Sequence, residues 1–167
     1  MEFATIFAPY LYSVILKDET DEFTLFINFL TDAIQLEEYF NENQDVLGYY
    51  NLTIEDAVLH TIEIAEEIYD YLEKNKNDLN KIFEPLTYFG NNTPLGEMKY
   101  KIDWIRLYAI QIELKHFAIT GGAIKQSQKM QEHPETQKQL YKMRRVRDCL
   151  SQQGIIDFNG FFELINE

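Results

Sequence analysis

The stretches 103–113, DWIRLYAIQIE, and 116–125, HFAITGGAIK, decide between a helical and a mixed fold. Periodicity alone fits both a strand and a helix in the first stretch. Composition favours strands, because β-branched and aromatic residues dominate and because Gly121 and Gly122 are poorly suited to a helix interior. We therefore expect two antiparallel strands here. Ile105, Leu107 and Ala109 would face one side of the first strand, and Trp104, Tyr108, Ile110 and Ile112 the other.

The flanking segments complete an α+β domain. A strand buried on both faces is expected at 9–17, PYLYSVILK, and another strand is possible at 98–101. Helices are expected from Asp21 to about residue 41, from Thr53 to residue 74, from Pro134 to about residue 152, and after Asp157 or Asn159. The expected fold is thus one domain over 1–167. An acidic helical N-terminal half packs on a small antiparallel sheet, followed by a basic helix and a short C-terminal helix.

Charge divides the chain into a long acidic part and a basic segment. Residues 1–97 carry 4 Lys and Arg against 20 Asp and Glu, whereas residues 98–153 carry 11 against 5. The net charge of the whole chain is −13. Such a charge repels nucleic acid and anionic lipid at long range, so any RNA contact must be local.

Cysteine content and the N-terminus indicate a cytoplasmic protein. The single cysteine, Cys149, excludes an internal disulfide and a Cys-built zinc site, and it favours a reducing compartment. The chain begins Met1-Glu2 without a basic leader region, and no apolar run approaches the roughly 18 residues of a membrane span. We therefore expect a soluble, cytoplasmic protein without membrane contact.

The order of segments in the C-terminal half carries a family resemblance. It reads FEPL, a loop rich in Gly and Pro, the Arg-bearing strand WIRLYAIQI, a strand ending GGAIKQSQKM, and then PETQKQLYKMRRVRD. This order, over residues 83–150, resembles the C-terminal half of the RelE and HigB type toxins of toxin–antitoxin pairs. TGGAIK followed by a helix near HPET also resembles proteins of gut bacteria, and that resemblance implies no function.

The toxin resemblance implies an RNA-directed activity, typically metal-independent cleavage of messenger RNA on the ribosome, with no cofactor. Implied partners are RNA or the ribosome, and an antitoxin or another protein. The residues implied to be catalytic are Arg106, Lys125, Lys129 and Tyr141. His116 joins them as the only nearby side chain that titrates close to neutral pH. The cations implied to contact nucleic acid are Lys138, Lys142, Arg144 and Arg145. The N-terminal half is longer and more acidic than such small basic toxins need, so the resemblance supports RNA contact more than cleavage.

Three alternatives stay open at this point. The cations Lys138, Lys142, Arg145 and Arg147 could form one solvated helix face, or could pair with the acidic helix 53–74 inside the fold. A non-enzymatic protein could bind a basic partner through its acidic surface. A metal-dependent helical bundle could use the E-x-x-H spacing of Glu113 and His116, but only if residues 103–130 were helical.

Overall fold

A computed structural model describes residues 1–86, 95–125 and 134–167 of the chain. Within these residues, strands and helices combine in an α+β fold, which confirms the expected fold class. The strands are β1 (Glu2–Phe7), β2 (Leu11–Ile15), β3 (Glu84–Pro85), β4 (Gly96–Ile102), β5 (Ile105–Glu113) and β6 (His116–Ile124). They form one sheet in the order β1-β2-β6-β5-β4-β3.

The sheet is mixed. Neighbouring strands are antiparallel except for β2 and β6, which run parallel with Leu11 opposite Phe117 and Ser13 opposite Ile119. The sheet is therefore larger than the small antiparallel one expected from sequence. Its parallel pair joins strands far apart in the chain, and no local pattern in the sequence indicates such a pairing.

Six α-helices occur within the described residues, and their starts follow the sequence signals. They are α1 (Glu22–Leu30), α2 (Ala33–Glu42), α3 (Gln44–Tyr50), α4 (Ile54–Lys74), α5 (Pro134–Gln152) and α6 (Phe158–Ile165). The predicted caps form, because Asp21 accepts a hydrogen bond from the backbone N–H of Thr24 at 3.1 Å and Thr53 accepts one from Asp56, also at 3.1 Å. None of the described helices has the length and apolar character needed to cross a membrane.

The single helix expected from Asp21 to about residue 41 is two helices. The helix is interrupted at Thr31 and Asp32. The Asp32 carboxylate caps α2 by accepting hydrogen bonds from the backbone N–H groups of Ile34 at 3.0 Å and Gln35 at 3.1 Å. A continuous helix would have used those N–H groups internally. The apolar spacing persists across the break, and therefore hydrophobic periodicity alone does not reveal it.

Helices cover both faces of the sheet. On one face, α1, α2 and α4 share a hydrophobic cluster with Ile105 and Leu107 of β5. On the other face, α5 and α6 share a second cluster with Tyr108 and Ile110. The alternation predicted for β5 is thus confirmed. Trp104 is the exception: it lies before the strand and packs in the first cluster.

The glycine pair of β6 lets helices approach the strand from both sides. A Cβ added at Gly121 would overlap the Gln139 side chain of α5, and one added at Gly122 would overlap the Phe26 ring of α1. Both glycines are buried. The two residues therefore serve close packing, one on each face of the sheet.

Candidate functional site

Four cations gather at one end of the sheet, and we call Lys99, Lys101, Arg106 and Lys125 the sheet-end cluster. In the antiparallel ladder, Arg106 lies opposite Lys101 on one side and opposite Ala123 on the other. Residues directly opposite each other share a face of the sheet, here the face that α5 and α6 cover. Lys125 follows β6 and donates its backbone N–H to the Trp104 carbonyl at 2.7 Å, which ties it to the start of β5.

Mutual repulsion marks this cluster. The pKa of Lys125 is lowered by burial and then by the charges of Arg106, Lys99 and Lys101. The pKa of Lys99 is lowered by burial and then by Lys101, while Glu84 opposes the shift. Among the described residues, Lys101 forms an ion pair with Glu84 at 3.3 Å, and neither Lys99 nor Lys125 has a carboxylate partner. The fold thus brings four positive charges together, and Glu84 is the carboxylate of the described residues that pairs with one of the lysines.

Arg106 is held in place by backbone carbonyls. Its Nη1 donates to the carbonyls of Asp103 at 2.7 Å and Ile105 at 2.9 Å. Asp103 has a positive φ of 56°, which makes the tight turn between β4 and β5. Arg106 as a whole is only 9% exposed, so its charge acts mainly on its neighbours in the sheet.

A cleft of about 700 Å³ opens between α1 and α5, and we call it the α1–α5 cleft. Its apolar lining includes Leu16, Leu25, Phe26, Phe29, Ala123 and Ile124. Because β2 and β6 run parallel, the carboxyl ends of both strands meet at this cleft. In open sheets with parallel strands, ligands bind outside the carboxyl ends. Lys125 follows Ile124 directly, so the cleft borders the sheet-end cluster.

Two polar atoms of residues that line the cleft are shielded from solvent and have no hydrogen-bond partner among the described residues. They are the side-chain oxygen of Gln139, a residue only 3% exposed, and the hydroxyl of Tyr39. Burial, followed by the nearby charge of Glu135, raises the pKa of Tyr39 well above its ordinary value. The Tyr39 hydroxyl is therefore protonated and can donate a hydrogen bond.

The cations of α5 divide into paired and unpaired groups. Lys142 pairs with Glu22 of α1 at 3.2 Å, and Arg144 lies 3.9 Å from Glu97 of β4. Lys138 and Arg145 are exposed, line the cleft and form no ion pair with any described residue. Tyr141 is 68% exposed at the rim of the same cleft.

The alternative in which the cations of α5 pair with the acidic helix 53–74 is wrong. α4 packs in the cluster on the opposite face of the sheet from α5. Within residues 1–86, 95–125 and 134–167, the α5 cations form ion pairs with Glu22, Glu97 and Asp148 of α5 itself.

His116 lies away from the other residues proposed for the site. It begins β6, whereas Ala123, opposite Arg106, lies near the other end of that strand, and the rise per residue separates them by roughly 20 Å. Its Nδ1 donates to the Pro9 carbonyl at 2.8 Å, and its ring stacks on Phe158 with centroids 3.9 Å apart. Both contacts are structural. Lys129 lies outside the described residues.

Glu113 and His116 face each other across the β5–β6 hairpin instead of sharing a helix face. Glu113 accepts a hydrogen bond from the backbone N–H of Phe158 at 2.9 Å. Because residues 105–113 and 116–124 are strands, the helical-bundle alternative is wrong. In the part of the chain that the structure describes, no group of three or more His, Cys, Asp or Glu side chains could hold a metal ion.

Comparisons of the chain with protein-family models, with curated proteins and with solved structures find no match.

The sequence analysis predicted only part of the sheet-end cluster and did not predict the α1–α5 cleft. Lys99 and Lys101 were not singled out, although KYKI at 99–102 alternates cations with apolar residues as a strand would. The α1–α5 cleft has no sequence signal of its own, since Tyr39 and Gln139 come from distant helices. The toxin resemblance implied Arg106 and Lys125 as site residues, and the fold brings these two residues together.

Proposed function

We propose that the protein binds RNA through the sheet-end cluster, as a toxin-type protein of the RelE and HigB kind would. The observation that carries the proposal is the gathering of Lys99 and Lys125 beside Lys101 and Arg106 in a protein of net charge −13. Two of these lysines, Lys99 and Lys125, have no carboxylate partner among the described residues.

The electrostatics favour short-range recognition of a phosphate backbone. Lysine binds phosphate as a point charge, and each neutralised phosphate releases counterions. The overall acidic charge opposes long-range attraction, so the local cluster must supply the affinity. Binding would then be weak at physiological salt and strongly dependent on ionic strength.

Cleavage, which the resemblance implies, needs a proton-transfer group near the bound phosphate. His116 lies at the far end of β6 and cannot serve a phosphate held at the sheet-end cluster. Lys125 belongs to the cluster itself and is therefore the nearer candidate for that role. Burial, and then the charges of Arg106, Lys99 and Lys101, lower its pKa. Any cleavage should therefore depend on Lys125 and tolerate loss of the His116 imidazole.

Binding is tested by fluorescence anisotropy with a labelled single-stranded RNA of mixed sequence. We expect the Lys99→Ala/Lys125→Ala variant to bind at least about tenfold more weakly at low salt. Loss of two phosphate contacts should also reduce the slope of log K against log salt concentration by about 1.4. Lys115→Ala removes an exposed lysine at the opposite end of the sheet and is the matched control. Equal affinity for all three proteins would rule the proposal out.

The toxin part of the proposal has its own test. Induced expression of the wild-type protein should slow bacterial growth, and Lys125→Ala should restore it. Folding of the variant is checked by its far-UV circular dichroism. Normal growth during expression of the wild-type protein would contradict the proposed toxin activity. RNA binding would then depend on the anisotropy experiment alone.

A second candidate function is binding of a basic protein through α4. Its outer face exposes the carboxylates of Glu55, Glu63, Glu66, Glu67, Asp70 and Glu73. No cation of the described residues pairs with them. Tyr69, 48% exposed on the same helix, adds an aromatic side chain of the kind enriched at interfaces. A basic partner should be retained at low salt and lost at high salt, and Glu63→Gln/Glu67→Gln should weaken its retention.

A further inference from the structure

We propose that the α1–α5 cleft holds one unstacked nucleotide of an RNA strand, an inference that rests on RNA binding by the adjacent sheet-end cluster. The cleft volume of about 700 Å³ lies within the roughly 300–1,000 Å³ typical of small-molecule sites. Single-stranded RNA is commonly recognised through bases that are splayed out of the stack and inserted among aromatic and polar side chains.

The lining matches a flat ring that also carries polar groups. Phe26, Phe29 and Ile124 supply apolar surface. The Gln139 oxygen could accept a hydrogen bond and the Tyr39 hydroxyl could donate one, but both atoms are shielded from solvent and have no partner among the described residues, so a ligand reaches them only if these side chains reorient. A purely aliphatic ligand could form a hydrogen bond with neither group. A nucleobase edge offers both donors and acceptors.

Charge at the cleft fits the phosphate of the same nucleotide. Lys17, Lys138 and Arg145 are exposed at its rim and have no ion-pair partner among the residues that the structure describes. Lys142 is already paired with Glu22 and is not needed for this role. Lys125, next to the lining residue Ile124, connects the rim to the sheet-end cluster. An RNA strand bound at the sheet-end cluster would therefore pass close to the cleft.

Isothermal titration calorimetry with the four ribonucleoside 5′-monophosphates tests the cleft, with ribose 5-phosphate as the probe that lacks a base. We expect at least one nucleotide to bind about tenfold more tightly than ribose 5-phosphate. Lys138→Ala/Arg145→Ala should weaken that binding about tenfold. Leu25→Trp, a change at a 39% exposed lining residue, should block the cleft without removing a charge. Lys115→Ala should bind nucleotide like the wild-type protein.

The outcomes separate this inference from the proposed function. If RNA binds through Lys99 and Lys125, but no nucleotide binds and Leu25→Trp retains full RNA affinity, the cleft inference is overturned and RNA binding stands. The inference is also overturned if ribose 5-phosphate binds as tightly as every nucleotide, because the cleft then recognises only phosphate. If nucleotides bind but RNA affinity is unchanged in Lys99→Ala/Lys125→Ala, the proposed function fails, and with it the strand path from cluster to cleft.

Discussion

At the scale of single residues, Gly122 sets the distance between α1 and the sheet. The Phe26 ring occupies the space that a Cβ at this position would need, and Phe26 is only 8% exposed. The ring belongs to the hydrophobic core that includes Leu11 and Phe117, so a shift of the ring into the neighbouring cleft would cost it core contacts. Close packing at this point therefore depends on the absence of a side chain.

Gly122→Ala should lower the free energy of unfolding by about 1–3 kcal/mol, since an added methyl group overpacks the core. Urea denaturation followed by far-UV circular dichroism measures the change. Gly48→Ala is the matched control, because a Cβ there meets nothing within 4 Å and alanine favours the helix. The packing argument would be wrong if Gly122→Ala were as stable as wild type while Gly48→Ala was not destabilised.

At the scale of elements, the Lys142–Glu22 ion pair joins α5 to α1 beside the cleft. The Lys142 side chain is 19% exposed and that of Glu22 is 9% exposed, so both charges are largely shielded from water. Glu22 also lies in the first turn of α1, where a negative charge stabilises the helix. The pair therefore fixes the relative position of the two helices that form the cleft.

Lys142→Met should lower the free energy of unfolding by about 1–2 kcal/mol, because it leaves the Glu22 carboxylate buried without its partner. Adding Glu22→Gln should recover part of that loss, with a coupling of about 0.5–1 kcal/mol in a double-mutant cycle. Lys101→Met is the control for an exposed ion pair, since the Glu84 partner of Lys101 is 51% exposed. This substitution should change the free energy of unfolding by no more than about 0.5 kcal/mol. Additive effects of the Lys142 and Glu22 substitutions would show that the pair does not couple α1 to α5.

At the scale of the whole molecule, the sheet separates the charges. The acidic face of α4 lies on one side and the basic helix α5 on the other, and the two do not neutralise each other. Carboxylates crowded on one surface repel one another and destabilise the compact state. Stability should therefore respond to screening of this repulsion.

The urea midpoint should rise between about 0.01 M and about 1 M NaCl, as the Debye length shortens from about 30 Å to about 3 Å. The variant Glu63→Lys/Glu67→Lys breaks up the acidic face and should show a smaller rise. A midpoint that falls with salt would mean that ion pairs such as Arg147–Glu97, at 2.5 Å, outweigh the repulsion.

The sequence by itself determined the elements whose signals are local. In the segment 53–74, helical spacing predicts an inner stripe, and its residues Ala57, Val58, Thr61, Ala65, Ile68 and Leu72 are all buried in α4. The caps at Asp21 and Thr53 and the strands around Gly121 were likewise predictable. Each depends on residues a few positions apart, so the chemistry that decides it lies within a short window.

Only the tertiary structure decided how these elements meet. The parallel pairing of β2 with β6 creates the end of the sheet where the cleft opens, and register across β4, β5 and β6 brings Lys99 and Lys125 to Arg106. The same arrangement leaves His116 at the opposite end. These outcomes follow from packing between segments far apart in the chain, where no local pattern specifies the partner. The site therefore emerges from the register of the sheet, while the sequence alone specified the strands and helices that compose it.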